Sequence, residues 1–447
     1  MSKLKTKLFA VAAALLCAGT ALAQDSGALI DLLVRKGVLN AQEAEDLRAE
    51  LVKDFVANTS AGKLNLSSSL TDFRLTGDVR IRYEGRGARL PTGEDQARDR
   101  FRYRMRAALT GKLLNNWGFG VRLETSTSSR SSNVTMGDDA GPFAKNNDGV
   151  FLGQVYATWT PTVEWTLTAG RMANPLATSL MVWDGDINPE GLAEQFRTRR
   201  GNNEFFATAA QFVYSTSGTQ DPFAAITPAN IAGTEDLFLT AWQGGYKRYV
   251  KGATTFFQIA PVVYAYLGTD QRANPAAFNS FMTATNAAPV NNLFVLEIPV
   301  EYSWLAANGV PLRAWADLAI NFDAGRRAAK FGRPDLDGED KAIQIGFQYG
   351  KASLPGEWDV RIFYQSVGAF ALDSNLVDSD LFDSRTNMQG WVLGGNYALG
   401  AAAQLSLTYA SAGRKQDSII APGSGDIGAN NALGQYRLLQ VDLNVKF

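Results

Sequence analysis

From residue 71 to the end of the chain, apolar and polar residues alternate with a period of two in one run after another. The segments Thr71–Glu84 and Arg100–Leu113 show the pattern most clearly. Such alternation is typical of β-strands that have one apolar and one polar face. The runs have roughly 10–14 residues, whereas strands of soluble proteins have about 5 or 6 and a tilted strand needs about 9–11 to cross a bilayer. The pattern therefore favours membrane-spanning strands.

The connections between the runs indicate the same architecture independently. Further strands are predicted near 117–126, 150–160, 163–172, 190–198, 204–214, 235–249, 252–266, 293–305, 311–323, 341–351, 356–367, 389–399, 402–412 and 436–447. Short turns alternate with long polar segments, which are 85–99, 127–149, 173–189, 215–234, 267–292, 324–340, 368–388 and 413–435. We predict an all-β fold, a transmembrane antiparallel β-barrel of about 16 strands. Because the strand near 190–198 has the weakest pattern, about 14 or 18 strands remain alternatives.

The chain divides into four predicted segments. Residues 1–23 have the charged start, apolar run and small residues of a signal peptide. Residues 24–58 predict a periplasmic helical segment of two short amphipathic helices, and 59–70 a linker. Residues 71–447 form the predicted barrel. We therefore expect export through the periplasm and insertion into a Gram-negative outer membrane.

Composition excludes several classes of function. Cys17, the only cysteine, lies within the predicted signal peptide, and the chain has no histidine. The exported chain therefore has no disulfide, and it lacks the commonest general base and metal ligand. We expect no enzyme, no cofactor and no metal site. The net charge of −1 argues against a nucleic-acid partner. Outer-membrane lipid and lipopolysaccharide are the expected surroundings.

Aromatic residues and the C-terminus fit insertion in a membrane. Six tryptophans lie near predicted turns, where an amphipathic ring can sit at the membrane–water boundary: Trp117, Trp159, Trp165, Trp304, Trp315 and Trp358. Trp315 alone is predicted to face inward. The last strand alternates up to a terminal Phe447. This ending resembles the signal that the outer-membrane insertion machinery recognises.

Candidate pore residues follow from the polar face of the first three strands. The predicted pore-lining basic residues are Arg74, Arg80, Arg82, Arg100, Arg102, Arg104, Arg106 and Arg122, here called the arginine wall. An arginine on the lipid face at mid-membrane costs roughly 2–4 kcal/mol, so these side chains are expected to face the lumen. Asp378, Asp380 and Asp383 are expected in a solvated external loop.

Residues 170–191 carry a resemblance. The sequence Gly-Arg-Met-Ala-Asn-Pro-Leu is followed there by Trp-Asp-Gly-Asp-Ile-Asn-Pro-Glu-Gly. Together with the helical N-terminal segment and Phe447, these motifs make the chain similar to the putative-porin family of Gram-negative bacteria. The resemblance implies a loop after the fifth strand that folds into the lumen. It further implies that Asp184, Asp186, Glu190 and Glu194 face the arginine wall as an acidic constriction loop, and that the protein is a homotrimer.

The expected function is passive diffusion of small hydrophilic solutes through a water-filled barrel. One alternative is an anion- or phosphate-selective channel built on the arginine wall. A second alternative is a structural barrel that tethers the outer membrane through its N-terminal helices.

Overall fold

The computed structural model describes residues 34, 42–45, 67–126, 131–137, 149–215, 237–252, 254–268, 292–419, 421, 423, 425–427 and 433–447. The chain divides into two units, Met1–Ser68 and Ser69–Phe447. The predicted signal peptide lies outside the described residues. Within the predicted helical segment, only Val34 and Gln42–Glu45 are described, and these are helical. Among the described residues, no helix has the length and apolarity that a membrane span requires.

Sixteen antiparallel strands form one closed barrel in the second unit, which confirms the predicted fold class and strand number. In chain order they are β1 (Leu70–Arg89), β2 (Asp95–Leu113), β3 (Trp117–Ser126), β4 (Gly149–Trp159), β5 (Trp165–Arg171), β6 (Glu190–Arg200), β7 (Asn203–Ser215), β8 (Leu237–Lys251), β9 (Thr255–Ile259 and Val262–Leu267), β10 (Phe294–Leu305), β11 (Pro311–Asn321), β12 (Lys341–Gly350), β13 (Trp358–Val367), β14 (Met388–Ala398), β15 (Ala403–Arg414) and β16 (Gln435–Lys446). Strand β1 pairs with both β2 and β16, and this closes the barrel.

The two ends of the barrel differ. One end, the turn end, carries the short connections between strands and the start of β1 and end of β16. The opposite end, the loop end, carries the long connections. Two features interrupt the regular sheet. Strand β9 is broken next to Pro261, which has no N–H to donate to a neighbouring strand. Val134–Thr135 pairs with β2 beyond the end of β3.

The predicted loop 85–99 is wrong. Strands β1 and β2 continue through this region, and only Leu90–Glu94 forms the turn, closed by the Leu90 N–H donating to the Glu94 carbonyl at 2.8 Å. The segment has high polarity in part because inward side chains such as Arg86 form ion pairs inside the barrel. A prediction from polar content alone therefore placed the end of β1 and the start of β2 wrongly.

The outer face of the barrel is apolar, as the alternation predicts. Leu75, Phe101 and Leu443 are examples of its exposed side chains. Trp117 and Trp159 stack with ring centroids 5.9 Å apart beside the turn-end connections. Trp315 faces inward, where its indole Nε1 donates to Gln344 at 2.8 Å.

The terminal Phe447 lies at the seam where the barrel closes. Its backbone exchanges two hydrogen bonds with Gly77 of β1, at 2.8 and 3.0 Å. A Cβ at Gly77 would come within 2.4 Å of the Phe447 ring and of the Arg106 carbonyl oxygen. Glycine at this position therefore lets the aromatic side chain lie flat on the neighbouring strand.

Long loops pack inside the barrel at the loop end. Three of them are named here: loop A (172–189), loop B (368–387) and loop C (415–434, described in part). Trp183 of loop A packs against Phe212 of β7, and Phe382 of loop B against inward residues of β14 to β16. A short helix, α1 (Ala324–Lys330), lies in the connection between β11 and β12. The apolar core of this molecule thus lies within its lumen.

Candidate functional site

The predicted arginine wall faces the interior of the barrel, but most of it is covered. Alternation along β1, β2 and β3 directs the even-numbered side chains inward. Arg80, Arg82, Arg100, Arg102 and Arg104 are all buried. Arg106 and Arg122 are partly exposed, and Arg74 lies exposed near the turn end beside Asp72, at 3.0 Å. The wall therefore changes from solvated to enclosed between the turn end and the loop end.

Carboxylates from the strands neutralise part of the wall. Glu84 of β1, which is fully buried, accepts hydrogen bonds from Arg86 at 3.0 Å and from Arg100 at 2.7 Å. Asp442 of β16 forms a two-pronged pair with Arg82, at 2.7 and 2.8 Å, across the closing seam. Arg86 was absent from the predicted wall because 85–99 was predicted to be a loop.

Loops B and C supply the remaining acids. Asp380 pairs with Arg82 at 2.7 Å and with Arg86 at 3.1 Å, and Asp383 pairs with Arg86 at 2.6 Å. Asp426 of loop C pairs with Arg100. Burial alone would raise the pKa of Asp380, but the guanidinium groups of Arg82 and Arg86 outweigh burial and hold that pKa well below its usual range.

The expectation that Asp378, Asp380 and Asp383 lie in a solvated external loop is therefore wrong. Asp380 and Asp383 are held inside the barrel by the arginines of β1, and Asp383 also pairs with Arg385 of loop B at 3.2 Å. The ion pairs of Asp380 and Asp383 therefore anchor loop B to the barrel wall.

Loop A lies in the lumen beside the wall. Asp186 is 3.5 Å from the Arg106 guanidinium and 3.7 Å from that of Arg104, which both also pair with Asp78 at 2.7 Å. The Ser132 hydroxyl donates to Asp186 at 3.4 Å. Of the four acids predicted to face the wall, Asp186 is the one that the structure brings within reach of its arginines.

The other three predicted acids lie elsewhere, which corrects the expectation for them. Asp184 is buried between loops A and B, where it accepts the N–H groups of Asp186 at 2.9 Å and Ser379 at 3.0 Å. Glu190 pairs with Arg171 on the outer face. Glu194 has the outward parity of Leu192 and Phe196 on β6. Strand β6 begins at Glu190, so alternation directs both glutamates away from the lumen.

Asp184 faces a second buried acid. Burial, and then the neighbouring Asp186 carboxylate, raises the pKa of Asp184 to about 6. Burial and then Asp184 raise the pKa of Asp378 of loop B well above its usual value. The Asp378 carboxylate accepts the N–H groups of Asp380 at 2.9 Å and Leu381 at 2.8 Å. Loops A and B are thus in contact where the carboxyl groups of Asp184 and Asp378 lie close together.

The turn-end half of the lumen is polar and more open. Arg197, which pairs with Glu204, and Arg313, which pairs with Glu301 at 2.8 Å, both keep substantial solvent exposure. Arg361 also faces inward here. The lumen therefore has a wide polar half beneath a half that is filled by loops.

A family model described as "Putative porin" matches residues 88–294 and 288–447. The chain belongs to this family. It is accordingly a porin, and its family consists of channel proteins of the outer membrane. The family resemblance drawn from residues 170–191 and Phe447 is confirmed.

Solved structures that are similar to this chain have low sequence identity to it. OmpF of Salmonella typhi has 11% identity and a TM-score of 0.44, covering 86% of this chain and 99% of its own. Pseudomonas aeruginosa OpdQ has 12% identity and a TM-score of 0.44, covering 85% and 99%. A triple mutant of the Rhodopseudomonas blastica porin has 8% identity and a TM-score of 0.42, covering 84% and 100%. No curated protein sequence matches the chain.

Proposed function

We propose that this porin lets small hydrophilic solutes diffuse passively through the polar part of its lumen, past a constriction where loop A meets the wall. The observation that carries the proposal is the approach of Asp186 to Arg106, whose side chains keep 20% and 23% exposure where the loop-filled half begins. Opposed charges at a narrow, wetted point select solutes by size and charge. No step of this transport requires a reacting group.

The arginine wall contributes little net charge to this passage. Its buried guanidiniums, together with that of the neighbouring Arg86, are matched by the carboxylates of Glu84, Asp380, Asp383, Asp426 and Asp442. Coulombic fields of closely paired charges largely cancel over the distances at which a permeating ion passes. We therefore assign these buried pairs to loop anchoring and the exposed Arg106, Arg122 and Asp186 to the passage itself.

A mild preference for anions is the second candidate. Among the described residues of β6 to β13, the inward charges in the turn-end half are Arg197, Arg199, Lys247, Arg313 and Arg361 against Glu204, Glu301 and Asp359. This surplus of cations raises the local concentration of anions in the wide half of the lumen. The preference then arises on β6 to β13 rather than on the predicted arginine wall.

Single-channel recording of the refolded porin in planar bilayers under a salt gradient tests both candidates. Ohmic current steps support passive diffusion, and a reversal potential displaced toward that of chloride supports the anion preference. Absence of any conductance from protein that has passed a folding check by heat-modified gel mobility contradicts the diffusion proposal.

The variant Asp186→Asn tests the position of the constriction. Removing this carboxylate leaves Arg104 and Arg106 with Asp78 alone, so chloride permeability should rise relative to potassium. A unit charge at about 4 Å in water is worth about 1 kcal/mol, which corresponds to a change of about fivefold. The matched control is Asp417→Asn, whose side chain is 95% exposed in loop C. Equal reversal potentials for both variants would place the constriction elsewhere.

The outer face supports assembly into a homotrimer. Arg171, Glu190 and Glu194 lie on this face, and charges facing lipid are costly toward the middle of a bilayer. Outward alanines at 157, 169, 207 and 209 lie on the same strands, β4 to β7, and small side chains permit close approach of another subunit. Native mass spectrometry of the wild type and of Glu194→Arg tests this assembly: a trimer that dissociates in the variant supports it, and an unchanged monomer in both opposes it.

Export and insertion complete the proposal. Residues 1–23 direct the chain to the periplasm, Phe447 presents the last strand to the insertion machinery, and the external surface contacts lipopolysaccharide. A deletion of residues 24–58 distinguishes a porin from a tethering barrel. Deleting them leaves conductance unchanged in a porin, whereas a tethering barrel loses its attachment to the cell wall in a sedimentation assay.

A further inference from the structure

A cavity of about 450 Å³ lies on the wall of the barrel opposite the predicted arginine wall. Its ceiling is the turn Ala177–Leu180 of loop A, and its sides are the inner faces of β9 to β13. The volume falls within the roughly 300–1,000 Å³ of small-molecule sites in proteins. We propose that this cavity, on the diffusion path of the proposed porin, is a binding site for a small hydroxylated carboxylate of the sugar-acid class.

Arg361 is the cation that the site offers to an anion. Among the described residues, no carboxylate lies within ion-pair distance of its guanidinium, although Asp359 on the same strand is close enough to attract it and Arg313 is close enough to repel it. Arg313 in turn pairs with Glu301 at 2.8 Å. Arg361 is thus the guanidinium of this pair that keeps no direct carboxylate partner among the described residues. A bound carboxylate can accept two parallel hydrogen bonds from this planar guanidinium.

Glycines position the two main groups of the site. A Cβ at Gly394 of β14 would lie 2.7 Å from Nε of Arg361, and one at Gly346 of β12 would lie 2.1 Å from the Trp315 ring. Each large side chain therefore rests against a strand that lacks a side chain at that point. The Trp315 indole is fixed further by its bond to Gln344, which donates to Gln365 at 2.8 Å. These groups are held in place before any solute arrives.

Neutral amides line the rest of the cavity and suit hydroxyl groups. The side chain of Gln258 makes no hydrogen bond within the described part of the chain, and Gln348 makes one long bond of 3.4 Å to the Gly350 carbonyl. Each amide can both donate and accept, as sugar hydroxyls require. Trp315 adds an apolar surface for carbon-bound hydrogens. A carboxylate at Arg361 with hydroxyls at the glutamines describes a sugar acid.

Loop A fixes the ceiling of the cavity. The Thr178 hydroxyl donates to Glu297 at 2.6 Å, and the Ser179 hydroxyl donates to Asp317 at 2.5 Å. The Gln243 amide donates to the Ala177 carbonyl at 2.8 Å. Because these bonds attach the turn Ala177–Leu180 to β8, β10 and β11, the cavity keeps its shape while solutes pass. A site with fixed walls discriminates between solutes of similar size.

Block of single-channel current by glucuronate tests the site, with two matched solutes. Glucose keeps the hydroxyls without the carboxylate, and hexanoate keeps the carboxylate and the six carbons without any hydroxyl. We expect glucuronate to interrupt the current at a concentration at least about tenfold lower than either, which corresponds to about 1.4 kcal/mol. Equal block by glucose shows that the cation is not used, equal block by hexanoate shows that the amides are not used, and either result overturns the proposal.

Variants separate a binding site from a general effect of charge. Arg361→Gln should abolish the preference for glucuronate over glucose, and Arg361→Lys should keep part of it. Gly394→Ala should weaken block without changing charge because the added Cβ displaces the guanidinium. The control Arg326→Gln removes an exposed cation of α1, outside the cavity, and should leave block by glucuronate as it is in the wild type. Loss of preference in the control, or its retention in Arg361→Gln, contradicts the site.

A binding measurement distinguishes this proposal from the diffusion proposal. Isothermal titration of glucuronate into the folded porin in detergent reports occupancy whether or not the protein conducts. Heat released by the wild type but not by Arg361→Gln supports the site even if bilayer currents are absent. Absence of binding by a conducting wild type overturns the site and leaves diffusion standing.

Discussion

At the scale of single residues, Glu84 shows what this lumen requires of a buried charge. Its carboxylate has no solvent exposure and lies within 3.4 Å of three guanidiniums, those of Arg86, Arg100 and Arg102. Gln440 also donates to it, at 3.0 Å. Removing one partner from a buried ionic cluster leaves the remaining charges without compensation, and this costs more than the cluster itself contributes. Glu84 is therefore the residue on which the packing of the arginines most depends.

The variant Glu84→Gln should destabilise the barrel by about 3–5 kcal/mol because it leaves three buried guanidiniums short of one negative charge. Guanidinium chloride unfolding in detergent, followed by heat-modified gel mobility, measures the change. The matched control is Asp72→Asn, which breaks the exposed pair with Arg74 and should cost under about 1 kcal/mol. Similar losses in the two variants would show that burial of the Glu84 cluster is irrelevant to stability.

At the scale of strands and loops, the sequence predicts what depends on local order and misses what depends on distant partners. Alternation fixes which side chains of β11 face inward, and Trp315 was correctly assigned from parity alone. The inward position of loop B could not be predicted in this way. Its acid Asp380 meets Arg82, which lies 298 residues earlier in the chain. A run of acids such as 378–383 has the same composition whether it is solvated or buried against arginines.

The contact between loops A and B should weaken as pH rises. The pKa of Asp184 is raised from 3.8 to about 6 by burial and by Asp186, so the packed loops bind its proton more tightly than separated loops do. The contribution is fully present below about pH 4 and is lost as pH rises through about 6. Fluorescence of Trp183, buried beside this contact, should therefore change between pH 4 and 7. Asp184→Asn should remove this change, whereas Asp417→Asn, exposed in loop C, should leave it intact.

At the scale of the whole molecule, the barrel wall and the loops inside it form one electrostatic unit. Arginines of β1 and β2 pair with acids of loops B and C, and the apolar clusters of loops A and B fill the neighbouring space in the lumen. The strand arginines thus depend on loop carboxylates for charge compensation, and the loops depend on these arginines to remain inside the lumen. The width of the passage is then a property of this mutual anchoring rather than of strand number.

This mutual anchoring predicts the behaviour of the double variant Asp380→Asn, Asp383→Asn. It removes two loop carboxylates from Arg82 and Arg86, so loop B should leave the lumen part of the time. Single-channel conductance should increase and fluctuate more than in the wild type. The control Asp335→Asn, Asp337→Asn removes the same charge from an exposed external segment. An unchanged conductance in the first variant, or an equal increase in both, would mean that loop B does not limit the passage. An increase confined to the first variant would identify the arginines of β1 as the device that holds the pore narrow.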